Sequence, residues 1–342
     1  MIFRTPAYLD CFRCSADKCS DNCCIGWEID IDESTAEKYK NVKGDFGERL
    51  KENIAFGECA SFILKGERCP FLNDRNLCDI IINLGEDTLC QICSDHPRYF
   101  EWYGEIKEGG AGLCCEEAAK LILTAENPLE FTEKEIPFEE GDAFEAELFD
   151  LLYEAREKIF SVLYNEKKSI RQRVSEVLGY AENLQTNIDN YIDEIPDVKD
   201  VKTEAEGDML SVLESLRALE PIDDNWEPYL NNLIESYRET DRDEEFAKYQ
   251  RNLLVYFIYR YFLKGVFDGE ILSKVKLAAV STAVISYIIR KDNLKEYDLE
   301  KIVDVCKLYS KQVEYSQENL DTLAELTYEK SCFDSKSITG LY

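Results

Sequence analysis

Residues 253–263, LLVYFIYRYFL, and residues 277–289, LAAVSTAVISYII, are apolar on nearly every side. A helix without a polar face belongs inside a protein, packed all round. The second run is thirteen residues long and includes Ser281, Thr282 and Ser286. It is too short to span a bilayer and reads as a buried helix. These runs predict helices over 244–263 and 270–290 at the centre of a helical core. Flanking segments repeat apolar residues at three- and four-residue intervals, which predicts helices over 169–195, 209–219, 229–237 and 299–315. A further helix is expected to begin near Asp142 as N-cap, with Phe144, Leu148, Leu151, Leu152, Ala155, Ile159 and Leu163 on one face.

The expected fold is therefore mainly α, with an α-helical assembly over residues 142–342. Residues 126–141, with Pro128, Pro137 and an acidic cluster, suit a connector. Residues 1–125 are different. Alternating apolar and acidic residues over 27–32 suggest a short strand, and 34–39 a helix start. Residues 98–107 suggest a hairpin arm before a glycine-rich turn, and 116–125 a helix. So loop-rich a module with little β structure needs a staple beyond its own core.

The formal net charge of −30 argues against a nucleic-acid partner, since phosphate binding needs a clustered positive surface. It favours a basic or lysine-bearing partner, or simply a well-solvated surface. Residues 1–10 contain no apolar stretch of signal-peptide length. The expectation is a cytoplasmic protein without a membrane partner, whose cysteines are thiols.

Twelve of the fourteen cysteines lie in the first 115 residues. Eleven of them, all but Cys59, fall into four groups: Cys11, Cys14, Cys19, Cys23 and Cys24; Cys69 and Cys78; Cys90 and Cys93; Cys114 and Cys115. Cysteines two residues apart, as in Cys11/Cys14 and Cys90/Cys93, can place both sulfurs on one metal or cluster. Consecutive cysteines diverge, so one member of Cys23-Cys24 and of Cys114-Cys115 is structural or serves a second site. With His96 as the sole histidine, all-thiolate ligation is favoured, which fits zinc or a [4Fe–4S] cluster. Cys59, Cys306 and Cys332 read as small buried hydrophobes.

Three strings carry a family resemblance. Cys14-x4-Cys19-x3-Cys23-Cys24-Ile25-Gly26-Trp27 is followed by Ile29-Asp30-Ile31-Asp32. Cys69-Pro70-Phe71-Leu72 leads to Cys78, and Leu84-Gly85-Glu86 leads to Leu89-Cys90-x2-Cys93-x3-Pro97-Arg98. Together they resemble the flagellin lysine-N-methylase family and, more loosely, a wider group of zinc- or iron-chelating cysteine-cluster domains. The resemblance covers residues 1–125; the helical remainder fits in length and character but carries no motif. It implies methylation of lysines on flagellin or another lysine-bearing protein, with S-adenosylmethionine as donor and a [4Fe–4S] cluster. Ligands implied by position are Cys14, Cys19, Cys23, Cys24, Cys69, Cys78, Cys90 and Cys93. Cys90 and the pair Cys114-Cys115 look particular to the methylase branch.

Methyl transfer needs a neutral lysine amine, and a carboxylate or tyrosine beside a narrow channel can accept its proton. Tyr99, Tyr103, Tyr256, Tyr259 and Tyr261 are candidates, each equally readable as packing. No glycine-rich nucleotide fingerprint follows a strand. Gly109, Gly110 and Gly112 either place amides toward an anionic donor group or allow close backbone approach. The alternative to an enzyme is a non-catalytic zinc- or iron-binding module stapling a helical interaction protein. A staple needs four ligands, and this region offers at least ten.

Overall fold

The computed structural model describes every residue except 21, 27, 58, 200–205, 223, 241–245 and 292–297. The N-terminal part opens with β1 (Ile2–Pro6) and continues through a cysteine-bearing loop to β2 (Asp30–Ile31), α1 (Glu33–Asn41), α2 (Asp45–Glu52), β3 (Ile54–Ala55) and β4 (Ala60–Phe62). Then come α3 (Asp79–Leu84), α4 (Gln91–Asp95), β5 (Arg98–Tyr103), β6 (Ile106–Ala111), α5 (Glu116–Thr124) and β7 (Phe131–Glu135). The strands form two sheets, of order β5-β6-β1-β7 and β2-β4-β3. β1 runs parallel to β6 and antiparallel to β7.

Three expectations change here. The strand expected over 27–32 shortens to β2, with residue 27 outside the described residues. The expected connector contains β7, which closes one edge of the larger sheet by pairing with β1. Gly109 and Gly110 are not a turn but the middle of β6; the turn is made at Gly104, where φ is +60°. Both glycines are required by close packing. A Cβ on Gly109 would lie 2.9 Å from the Phe3 ring, and one on Gly110 would lie 2.2 Å from the Tyr99 hydroxyl.

The remainder is helical: α6 (Ala146–Leu163), α7 (Ile170–Asp189), α8 (Met209–Ser215), α9 (Trp226–Glu235), α10 (Ala247–Tyr261), α11 (Gly265–Asp268), α12 (Ile271–Lys291), α13 (Leu299–Glu314), α14 (Gln317–Glu329) and α15 (Ser335–Thr339). Both all-round apolar runs are central, in α10 and α12, and α12 packs against α7, α10, α13 and α14. Among the described residues α12 alone is long and apolar enough to cross a membrane, and here its length is buried within the helical core. α7 starts at Ser169 with a reciprocal capping box to Gln172. α6 begins at Ala146 rather than near Asp142, because Phe144 turns into a ring cluster with Tyr103, Phe149 and Phe267. Residues 244 and 245 of the helix expected over 244–263 lie outside the described residues.

The larger sheet is fastened to the helices by a buried ion pair. Glu108 on β6 accepts two hydrogen bonds from the Arg156 guanidinium on α6, at 2.7 and 2.6 Å. Tyr259 on α10 donates to the carbonyls of Gly109 and Arg4. Removing one partner of a buried pair strands the other charge, at a cost of about 3–5 kcal/mol. Glu108→Ala is therefore expected to lower stability by about that amount in a denaturant titration. A midpoint equal to the native one would contradict this anchoring role.

Candidate functional site

The cysteines up to Cys115 are all free thiols, and all but Cys11 and Cys59 divide into two neighbouring groups. Cys69 and Cys90 are buried in a small apolar core of their own, with Cys24, Cys78 and Cys93 packed against it. The floor is aromatic: Tyr39 stacks on Phe62, which meets Phe71 edge-on. Arg49 ties two of the cysteine segments together, donating to the Pro70 carbonyl at 2.8 Å and to Asp79 at 2.7 Å. Asp32, the N-cap of α1, also accepts from the Gln91 amide at 2.9 Å and so fixes the start of α4 beside Cys90.

The electrostatics of this group follow from burial and shared protons. Cys93 donates to Cys90, a bond that holds the Cys90 thiol down against burial; the same bond, then burial, pushes Cys93 up. Cys24 is raised first by its bond to Cys23, then by burial, with Cys69 and Cys78 close by. Burial pushes Cys69 up to about 11, while the amides of Phe71 and Leu72 work in the opposite sense. Cys78 is likewise raised by burial and opposed by the amides of Ile81 and Ile80 at the start of α3. A soft, all-sulfur donor set with backbone amides directed at its thiols fits an iron–sulfur cluster. Among the described residues no three His, Cys, Asp or Glu groups converge on a point fit for a single ion. In a cubane each thiolate binds a different iron, so neighbouring thiols need not meet at one point.

The second group surrounds a small pocket of about 60 Å³ lined by Cys14, Cys19, Cys23, Cys114 and Cys115, with His96, Lys311 and Tyr315. Cys115 precedes α5, and burial pushes its thiol up to about 12. Glu116 organises the loop opposite, accepting from Ser15, from the Ser20 amide and from the Ser20 hydroxyl. Lys307 on α13 donates to that same Ser20 at 2.9 Å. Burial, then Lys311, pulls His96 down to about 4, so the ring is neutral near pH 7. Cys23 touches both groups, since it bonds Cys24 and lines the pocket. Cys11 is exposed and takes no part in either.

Behind this pocket lies a network that sequence reading missed. Glu314, on α13 and almost wholly buried, meets Arg260 of α10 at 2.8 Å. The same carboxylate oxygen accepts from Tyr256 and Tyr261, each at 2.8 Å. Arg260 donates to the Tyr256 hydroxyl at 2.6 Å and lies over the Tyr99 ring. Tyr256 in turn accepts from the Leu113 amide, next to Cys114. Gly112 allows this approach, since a Cβ there would lie 2.9 Å from the Cys114 sulfur and 3.3 Å from Arg260. The other Glu314 oxygen has no hydrogen-bond partner among the described residues.

Of the candidate tyrosines, Tyr99, Tyr256 and Tyr261 thus gather at one network, while Tyr103 and Tyr259 serve packing and sheet anchoring. Gly109 and Gly110 do not fit a donor cradle, because Phe3, Thr5 and Tyr99 fill the space above them. Cys306 and Cys332 are buried as expected. Cys59 is not: it is exposed in the loop before β4 and lines a cleft of about 1040 Å³. That cleft lies between β5 on one side and β2 with α1 and α4 on the other, and His96 lines both it and the thiol pocket.

Residues 156–341 match the family model described as the FliB lysine N-methylase C-terminal domain. The chain is 31% identical over 140 residues to the lysine-N-methylase of Salmonella typhimurium, covering 38% of this chain and 35% of that protein. The lysine-N-methylase of Salmonella choleraesuis gives the same figures. The flagellar biosynthetic protein FliU of Salmonella muenchen is 32% identical over 138 residues, covering 38% of this chain and 81% of that protein. The matched stretch thus spans about a third of the length of the curated lysine-N-methylases. No solved structure matches the chain.

Asp32 gives a pH test of the local architecture. Its slight burial opposes ionisation, but the Gln91 amide, the Ser34 hydroxyl and the Thr35 amide bring its pKa down to about 2. A depressed carboxylate stabilises the fold above its unfolded value near about 4 and loses that contribution as pH falls through its folded value. Asp32→Asn is expected to melt below the native chain at pH 7, with the gap closing between about pH 4 and pH 2. A gap independent of pH in thermal melts would show that the carboxylate charge has no such role.

Proposed function

The chain belongs to the FliB lysine N-methylase family, and from that premise we propose that it transfers methyl groups from S-adenosylmethionine to lysines of flagellin or another lysine-bearing protein. The observation that carries the reading is the meeting of two regions. The family-matched residues 156–341 include Arg260, Lys307, Lys311 and Glu314, which close around the loops bearing Cys14, Cys19, Cys114 and Cys115. In the transfer, the lysine nitrogen attacks the sulfonium methyl, the carbon–sulfur bond breaks, and the donor leaves as a thioether. The ammonium proton must depart first, since only the neutral amine carries the lone pair that attacks.

A [4Fe–4S] cluster would be held by ligands drawn from Cys24, Cys69, Cys78, Cys90 and Cys93, the group with all-thiol donors and amides directed at its sulfurs. Such a cluster, when bound, supplies an electron reservoir or an open iron as Lewis acid. The chain's own part is to hold those thiols: Arg49 fixes the Cys69 and Cys78 segments, and Asp32 fixes the start of α4. Cys14, Cys19, Cys23, Cys114 and Cys115 form the adjoining wall, where Glu116 and Lys307 set the loop.

Anaerobic isolation followed by metal analysis tests the cofactor. The expected product is brown, with about four irons and four sulfides per chain. Cys93→Ser is expected to lose iron and methyl incorporation into flagellin together, whereas Cys11→Ser, at an exposed thiol outside both groups, changes neither. A colourless protein with stoichiometric zinc, or full incorporation by Cys93→Ser, would overturn the proposal.

A further inference from the structure

We infer that the large cleft receives the substrate as an extended, lysine-bearing segment laid between β5 and β2. The inference rests on the methyl-transfer reading and adds the place and chemistry of substrate recognition. Both walls are outer strands: β5 is the last strand of one sheet, and β2 the last of the other. An outer strand leaves backbone N–H and C=O groups open to an added strand, the way many domains hold extended peptides. The cleft, at about 1040 Å³, has room for a segment of chain rather than one side chain.

Its lining matches lysine. Asp30, Glu33, Glu37 and Asp95 line one wall, and Phe100 and Trp102 line the other. Counting Asp32, five carboxylates face two basic side chains, Lys40 and Arg98. Lys40 is paired with Glu37 at 3.6 Å, and Arg98 lies over the Phe12 ring, which lines the thiol pocket. Asp30 and Glu33 are exposed and make no ion pair among the described residues. A lysine can lay its butyl stem on an aromatic face while carboxylates attract its ammonium. His96 marks the inner end, where the cleft adjoins the thiol pocket. A lysine entering there points toward the cysteine groups.

The test uses the anaerobically isolated full chain and a fluorescein-labelled lysine-rich peptide, with a counterpart carrying norleucine at each lysine. Anisotropy is expected to show binding of the lysine peptide alone, weakened by salt. Asp30→Asn combined with Glu33→Gln removes two exposed charges and is expected to weaken binding roughly five- to tenfold. KM for flagellin should rise in proportion, while kcat and donor affinity hold. Unchanged peptide affinity and KM in a chain that still methylates flagellin would overturn the cleft assignment alone. Loss of donor affinity in place of peptide affinity would also overturn it, since the cleft would then hold the donor. A native chain that binds the lysine peptide through these carboxylates but methylates nothing would support the cleft and overturn the methyl-transfer reading.

Discussion

The pairing of Arg260 with Glu314 is the constraint on which the rest of the site depends. It lies deep in the helical region, yet its hydrogen-bond chain ends at the Leu113 amide, beside the paired cysteines. Breaking a buried ion pair costs more than the pair contributes in its own right, so such a pair specifies an arrangement more than it stabilises one. Here the arrangement is a cysteine loop pressed against α10 and α13. Lys307 extends the same grip about two helical turns away on α13, through Ser20 to the loop of Cys14 and Cys19. The cysteine-rich part and the helical part are thereby packed against each other as one unit.

Much of the architecture could be read from residue pattern alone. The runs in α10 and α12 had no polar face, which forced them to the centre. α14 escaped because Leu320, Leu323 and Leu326 make too thin a stripe, and β7 because five residues with three charges look like linker. The cysteine spacing pointed to metal chemistry, but the split into two groups depends on contacts between segments far apart in the chain, which spacing cannot express. Arg260 left one legible trace: it is the only charge within LLVYFIYRYFL. A lone arginine in a fully buried helix requires a buried acid, although nothing local says that the acid is Glu314. The resemblance rested on residues 1–125, whereas the family match falls on residues 156–341, where no motif was visible. The two point to the same family from different parts of the chain.

The chemistry is arranged outward from the thiols. Closest in are buried sulfurs with amides turned toward them; next comes His96, neutral and shared by two cavities; outermost is an acidic, aromatic cleft. On the proposed reading the innermost layer would hold the cofactor and the outermost would receive a cationic side chain. The carboxylates of the cleft would, on that reading, act at a distance on a lysine-bearing partner.

Thiol accessibility, mapped by iodoacetamide labelling and mass spectrometry on the anaerobically isolated chain, tests this layered arrangement most directly. The account expects Cys69, Cys78, Cys90, Cys93 and Cys114 to resist labelling until the chain is denatured and its iron chelated, while Cys59 is labelled at once. Uniform labelling of all these cysteines in the native chain, or a Cys59 as protected as Cys90, would contradict it.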